Sequence, residues 1–250
     1  MVLLAAALLG GASNALAGGG TFLTFPALLL VGVAPVKANA TASLVLLPGA
    51  LVSAWVYRDT LKHTSAKSLG FLSIASLVGS LVGSVLLLMT SNSTFSNLVP
   101  WLLLIATAVF TLAPWIRKAA GRQHDQHHGR ESMAGLLAGQ FVISVYGGYF
   151  GAGMGVLMIA LYLVATNLDV QSASGLRMVC SCIINTLAVA VFAWRGALDY
   201  RAGLPMLVLG VIGGYIGAIL VKRLNEQHAR IAILVYAWVL TVWFFARLYL

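Results

Sequence analysis

Apolar residues run along this chain in ten stretches, at approximately 2–17, 19–33, 38–57, 67–90, 97–116, 133–149, 151–166, 170–194, 203–222 and 229–249. Runs of about 18 residues or more with few charges predict membrane-spanning helices. Short polar connections separate them, except at 117–131, the one extended polar segment. That segment divides the chain into halves of similar length, 1–116 and 132–250, with 117–131 as a cytoplasmic basic, His-rich linker. Within it, His124, His127 and His128 with Asp125 could hold a metal weakly. No apolar framework surrounds them to fix a geometry, so the segment reads as a solvated linker with no metal or cofactor.

Glycines break the apolar pattern at two matching places. Gly18, Gly19 and Gly20 interrupt 2–33, and Gly153 and Gly155 lie 135 residues later in the second half. As one helix, 2–33 would extend about 48 Å, against a hydrocarbon core of about 30 Å. The break falls near the middle, leaving two pieces that are short for a span. Non-helical backbone at that depth persists only where protein or a wet cavity satisfies it. Helices resuming at Thr21 and near Val156 would direct their N-terminal dipole ends into such a cavity, an arrangement that favours anions. The alternative is that these glycines only permit close helix contact. Two matched breaks in two overlong runs favour a functional break, either as segments that cross or as segments that re-enter.

The halves repeat. At an offset of 135, Gly18 falls on Gly153, Gly20 on Gly155, Ala38 on Ala173 and Gly79 on Gly214. The order of elements carries more weight: a glycine-interrupted pair followed by three membrane helices, twice. Loop charge then sets orientation. With 58–67 placed in the cytoplasm, ten of the fifteen Lys and Arg lie inside, four outside and Arg177 within the membrane. This agrees with the positive-inside rule. It also puts the equivalent loops 58–67 and 195–202 on opposite sides, so the two repeats are inverted. Inverted repeats place substrate at their shared interface near the midplane.

Composition agrees with a membrane protein. Hydrophobic residues make up 60% of the chain, charged residues 8%, and mean hydropathy is +0.96, against about 25% charged residues in soluble domains. The net charge of +9 follows from basic cytoplasmic loops and does not call for a nucleic-acid partner. The first run lacks a basic region before its apolar core, so Met1 reads as the mature start rather than as part of a signal peptide. Cys180 and Cys182, two apart in one apolar segment, read as packing residues. Ser73, Ser76, Ser80 and Ser84 beside Gly79 and Gly83 read as a close-packed helix interface, matched by Gly210, Gly213, Gly214 and Gly217. Trp55, Trp101, Trp115 and Trp194 stand near segment ends, as interfacial anchors do.

The run AGGGTFLTFPALLLVGVAPVKANATASLV (17–45), followed by YGGYFGAGMGVLMIALYLV (146–164) and a second long helix, resembles the sulfite exporter TauE/SafE family over essentially the whole chain. The resemblance implies a two-repeat, all-helical membrane protein of the bacterial inner membrane that moves sulfur oxyanions or organosulfur anions. The second half departs from the first, with Leu161 in the place of Pro26 and Gly175-Leu176 in the place of Ala40-Thr41. Its part of the site is therefore built differently.

The polar residues inside the apolar runs indicate the same chemistry independently. An arginine at Arg177, a third of the way into its segment, is a functional-site hypothesis by default. Its alternative is snorkelling to the interface or pairing with a carbonyl. Ser174, Arg177, Ser181 and Asn185 step by three, four and four, which sets them on one helical face. Such a face offers a guanidinium fork to an oxyanion. The equivalent first-half segment carries Asn39, Thr41 and Ser43, whose amide and hydroxyls can replace an anion's hydration. Asn14, four residues before Gly18, belongs to the same candidate set.

Enzyme chemistry is not indicated. No HExxH, GxSxG or phosphate-loop motif appears, and there are six acidic residues in all. Transport would be passive or driven by an ion gradient. The sequence leads to an all-α integral membrane transporter of small anions, sulfite or a sulfonate, with two inverted repeats in a lipid bilayer. A homo-oligomer is compatible with it. An anion channel and a non-transporting accessory subunit of an export complex are the rival readings.

Overall fold

A computed structural model describes residues 1–56, 65–124, 133–166, 168, 170–220 and 226–249. Those residues form ten helices: α1 (Val2–Ala17), α2 (Thr21–Leu30), α3 (Pro35–Val56), α4 (Ala66–Met89), α5 (Asn92–His124), α6 (Met133–Tyr149), α7 (Met154–Ala165), α8 (Val170–Trp194), α9 (Tyr200–Leu220) and α10 (Glu226–Tyr249). Each expected apolar run holds one helix. Five are long and apolar enough to cross a membrane, within α3, α4, α5, α8 and α9. The first turns of the expected linker, 117–124, continue α5 as helix. Asp125, His127 and His128 lie outside the described residues.

α1 and α2 form a tight antiparallel pair. The chain leaves α1 through Gly18, whose φ of 75° is left-handed, a conformation open to glycine without steric cost. A Cβ on Gly10 would lie 2.7 Å from the Thr24 side chain, and one on Gly20 would lie 2.6 Å from the Gly10 carbonyl oxygen. α2 therefore folds back along α1. α6 and α7 do the same through Gly151 and Gly153, with φ of 78° and 72°. There a Cβ on Gly139 would lie 2.7 Å from Leu161, and Tyr162 Oη donates to Gln140 Oε1 at 2.8 Å.

Close glycine contacts fix how the long helices run. Gly213 and Gly217 of α9 press against the backbone of Leu8 and Ala12 of α1, and Gly214 against Gly49 of α3. α1, α3 and α9 therefore run in one direction. Gly79 of α4 meets the Phe141 carbonyl of α6, and four residues on Gly83 meets the Val145 carbonyl. Ser76 and Ser80 bond in the same order to Cys180 and Ile184 of α8, Ser80 Oγ donating to the Ile184 carbonyl at 2.7 Å, so α4, α6 and α8 share a direction. α5 and α10 run antiparallel, joined by Trp101 against Phe245, Thr107 against Thr241 and Trp238 donating to Thr111.

The outer surface is apolar, with Ile74, Val82, Trp55 and Trp194 exposed, as expected where lipid replaces water. Inside, two groups of buried apolar residues hold the hairpins. One surrounds Phe25, Phe95 and Phe150, and the other surrounds Met158, Tyr162 and Ile184.

Candidate functional site

Arg177 sits on α8 between the tips of the two hairpins. It is 5% exposed. A Cβ on Gly155 would lie 2.5 Å from its Nη1, and a Cβ on Gly18 would lie 3.1 Å from the same atom. The two glycines thus clear the space that the guanidinium fills. Its Nη2 also points to the Met178 thioether at 3.5 Å. Burying an arginine at membrane depth costs about 2.5–3.5 kcal/mol on insertion scales.

A small enclosed cavity opens beside the guanidinium. The first hairpin contributes Asn14, Gly18 and Thr21, and α3 contributes Ser43. The second hairpin contributes Gly155, and α8 contributes Arg177, Ser181 and Asn185. Eight of the residues singled out from the sequence therefore line one space. The Arg177, Ser181 and Asn185 face is the face that helical spacing predicts. The cavity measures about 20 Å³, room for about one water molecule. In this closed arrangement Ser43 Oγ donates to the Asn39 carbonyl at 3.2 Å and Asn185 Nδ2 to the Ser181 carbonyl at 2.8 Å. Ser181 Oγ points to the Met158 sulfur at 3.6 Å.

Other predicted residues stand elsewhere. Asn39 Nδ2 donates to the Tyr149 carbonyl at 2.8 Å, tying α3 to the end of α6. Thr41 Oγ1 accepts from the Asp199 amide at 2.9 Å and anchors the turn before α9. Gly20 is packed among Gly10, Leu46 and Asn14, and Gly153 faces Ala106 of α5. Gly19 is buried and Ser174 half-buried, neither among the cavity's lining.

The cavity also has walls that the sequence reading did not name: Leu46, Ala50, Gly151, Met154 and Met178. A buried polar fork was missed as well. Gln140 Nε2 donates to Ser76 Oγ at 2.8 Å, while its Oε1 accepts from Tyr162. Ser144 Oγ donates to the Gln140 carbonyl at 2.6 Å. This fork ties α4, α6 and α7 together. A lone glutamine inside an apolar run was the available signal, since intramembrane amides serve as interhelical hydrogen-bonding groups.

The sequence model of the family "Sulfite exporter TauE/SafE" matches residues 3–244. The chain belongs to the sulfite exporter TauE/SafE family. Membership places it among membrane transport proteins. Curated relatives span it almost completely. A protein of Haemophilus influenzae named "Probable membrane transporter protein" is 26% identical over 228 residues, 91% of this chain and 87% of its own. "Probable membrane transporter protein YfcA" of Escherichia coli is 26% identical over 240 residues, 96% of this chain and 87% of its own. In this TauE/SafE chain both glycine breaks meet at a buried cation.

Proposed function

We propose that this chain is a secondary transporter of small anions, sulfite or an organosulfonate, in a bacterial inner membrane. It works by alternating access around a midplane site between two inverted repeats, 1–116 and 132–250, joined by the cytoplasmic linker 117–131. The observation that carries the reading is the Arg177 guanidinium set against Gly18 and Gly155 at the tips of both hairpins.

The packing supports the inverted relation. Matching α1 to α6 and α4 to α9 exchanges the α1–α9 contact with the α6–α4 contact, the two most extensive among the described residues. α1 and α6 run in opposite directions, as do α3 and α8. The hairpin tips lie beside Leu46, near the middle of α3, and Arg177, about a third of the way along α8, both inside the spans rather than at their ends, so the hairpins re-enter rather than cross. α2, at 10 residues, rises about 15 Å, half of a hydrocarbon core of about 30 Å.

The chemistry suits an oxyanion. Arginine stays charged at any physiological pH and offers parallel donors to two oxygens. Thr21 and Gly155, which line the cavity, belong to first helical turns, whose dipole ends favour negative charge. Asn14, Ser43, Ser181 and Asn185 add neutral donors once their helices part. A space for about one water is too small for sulfite, so binding at Arg177 requires the helices around it to part.

Sulfite flux into proteoliposomes, with sulfate and a sulfonate as competitors, tests this. Saturable flux that Arg177→Ala strongly depresses, through a weaker apparent affinity, is the expected result. A folded protein that moves none of the three anions would overturn the proposal and favour an accessory role.

A further inference from the structure

The two halves differ where the proposed symmetry predicts a contact. In the second half α7 packs along α5, with Gly153 against Ala106. In the first half the equivalent α2 and α10 have little backbone contact. Between them lies a cavity of about 360 Å³, lined by Leu29, Gly32, Val33, Ser96, Val99 and Phe244 among others. It sits at the end of the bundle that holds the α2–α3 turn and the start of α5. Val36 N donating to Asn92 Oδ1 at 3.1 Å marks that same end.

A continuous block of aromatic rings runs from this crevice toward the Arg177 cavity. Phe244, on the crevice wall, stacks on Phe25 at 6.3 Å between ring centroids. Phe25 meets Phe150 edge-on at 5.7 Å and Phe95 at 6.1 Å. Phe150 precedes Gly151, which lines the Arg177 cavity. Phe25, Phe95 and Phe150 are all fully buried. At the offset of 135, Ala160 stands where Phe25 does and Ala15 where Phe150 does, so the aromatic rings are not part of the packing that the halves share.

We propose that the crevice is one vestibule of the transport path and that Phe25, clamped by Phe95, Phe150 and Phe244, is the plug closing it. The inference rests on the anion-transport reading. A ring of apolar side chains too narrow for water blocks ions by dewetting, and an anion must bring its hydration or find donors to pass. In the closed state no hydrated anion reaches Arg177 from the crevice. Swinging α2 away from Phe150 carries Phe25 with it and joins the two spaces. The plug belongs to the first hairpin, whereas the Gln140 fork ties the second hairpin to α4. α1 is held against α9 as firmly as α6 is against α4, but α7 is also held by Gln140 and α5 while α2 lacks the equivalent contact with α10, so α2 is the moving gate.

Thiol accessibility tests this without relying on flux. In a background carrying Cys180→Ala and Cys182→Ala, single cysteines replace Ser96 in the crevice and Ser43 in the cavity. A membrane-impermeant anionic methanethiosulfonate is applied from each side of oriented vesicles. Ser96→Cys should react readily from one side, and Ser43→Cys at least tenfold more slowly from that side. Phe25→Leu, which keeps an apolar side chain for folding, or Phe25→Ala should bring Ser43→Cys up to within a few-fold of Ser96→Cys. Rates at Ser43→Cys indifferent to both Phe25 changes, in protein that still melts cooperatively, would overturn the plug. Sulfite flux run in parallel separates the two claims. Arg177-dependent flux with indifferent labelling sinks the plug alone, whereas plug-dependent labelling without any flux sinks the transport reading.

Discussion

Gly18 and Gly155 lie back to back, 137 positions apart in sequence, and a methyl on Gly18 would stand 3.4 Å from the Cα of Gly155. The same methyl would stand 3.1 Å from Nη1 of Arg177. Two hairpin tips and one cation thus occupy a space that side chains would fill, and this explains why glycine occurs at these two positions, one from each glycine break, although the repeat does not pair them with each other.

Arg177 carries the site's only side-chain charge among the described cavity residues. Hydrogen bonds to charged groups contribute about 1.5–3 kcal/mol each, so Arg177→Ala should weaken apparent sulfite affinity by about 10–100-fold or more. Arg177→Lys keeps the charge but loses the planar fork and should recover only part of it. Concentration-dependent flux separates the two variants.

Gly155→Ala and Gly153→Ala should fail differently. A Cβ on Gly155 meets the guanidinium at 2.5 Å and should depress flux with little change in melting temperature. Gly153 has φ of 72° and faces Ala106 at an ordinary 3.4 Å. Its alanine should cost about 1–2 kcal/mol of backbone strain, read as a lower melting temperature. Equal effects of both on both measurements would contradict the geometry.

Helix packing gives a third contrast. Gly213→Ala places a Cβ on the Leu8 carbonyl, where the neighbour is backbone and cannot yield, whereas Gly70 has nothing within 4 Å. Overpacking costs about 1–3 kcal/mol, so Gly213→Ala should melt well below wild type. Gly70→Ala should be neutral or slightly stabilising, since alanine exceeds glycine in helix propensity by about 1 kcal/mol.

Tyr162→Phe should strand Gln140 Oε1, fully buried, at a cost of about 1–3 kcal/mol. Gln140→Leu removes the same bond and also the bond to Ser76, so it should cost more. The double variant should lose clearly less than the sum, because the Tyr162–Gln140 bond is common to both changes. Additive losses in melting experiments would show that the fork is not a coupled unit.

Ten apolar runs were legible because lipid-facing and core-facing positions alike are apolar in this chain. Their ends were less so, since polar residues extend helices beyond any hydropathy window. α5 starts at Asn92 rather than 97 because Ser91 Oγ accepts from the Thr94 amide at 3.1 Å, an N-cap. α9 starts at Tyr200 rather than 203 because Asp199 Oδ1 accepts from Ala202 N at 3.0 Å. α3 starts at Pro35, the helical position that proline favours. At the site, periodicity alone aligned Arg177, Ser181 and Asn185. It could not place Asn39 or Thr41, which share α3 with Ser43 but bond to Tyr149 and Asp199, 110 and 158 residues away. Gln140 stood out as a lone amide in an apolar run, but its partner could not be read, as Ser76 lies 64 residues away.

Locating the bound anion tests the central claim most directly. Selenite is a sulfite analogue whose selenium scatters X-rays anomalously, so crystals grown with it report the position of the ligand. The account predicts one peak within hydrogen-bonding distance of the Arg177 guanidinium, between Gly18 and Gly155, in a cavity widened beyond its present 20 Å³. A peak elsewhere in the bundle, with the Arg177 cavity closed and empty, would contradict it.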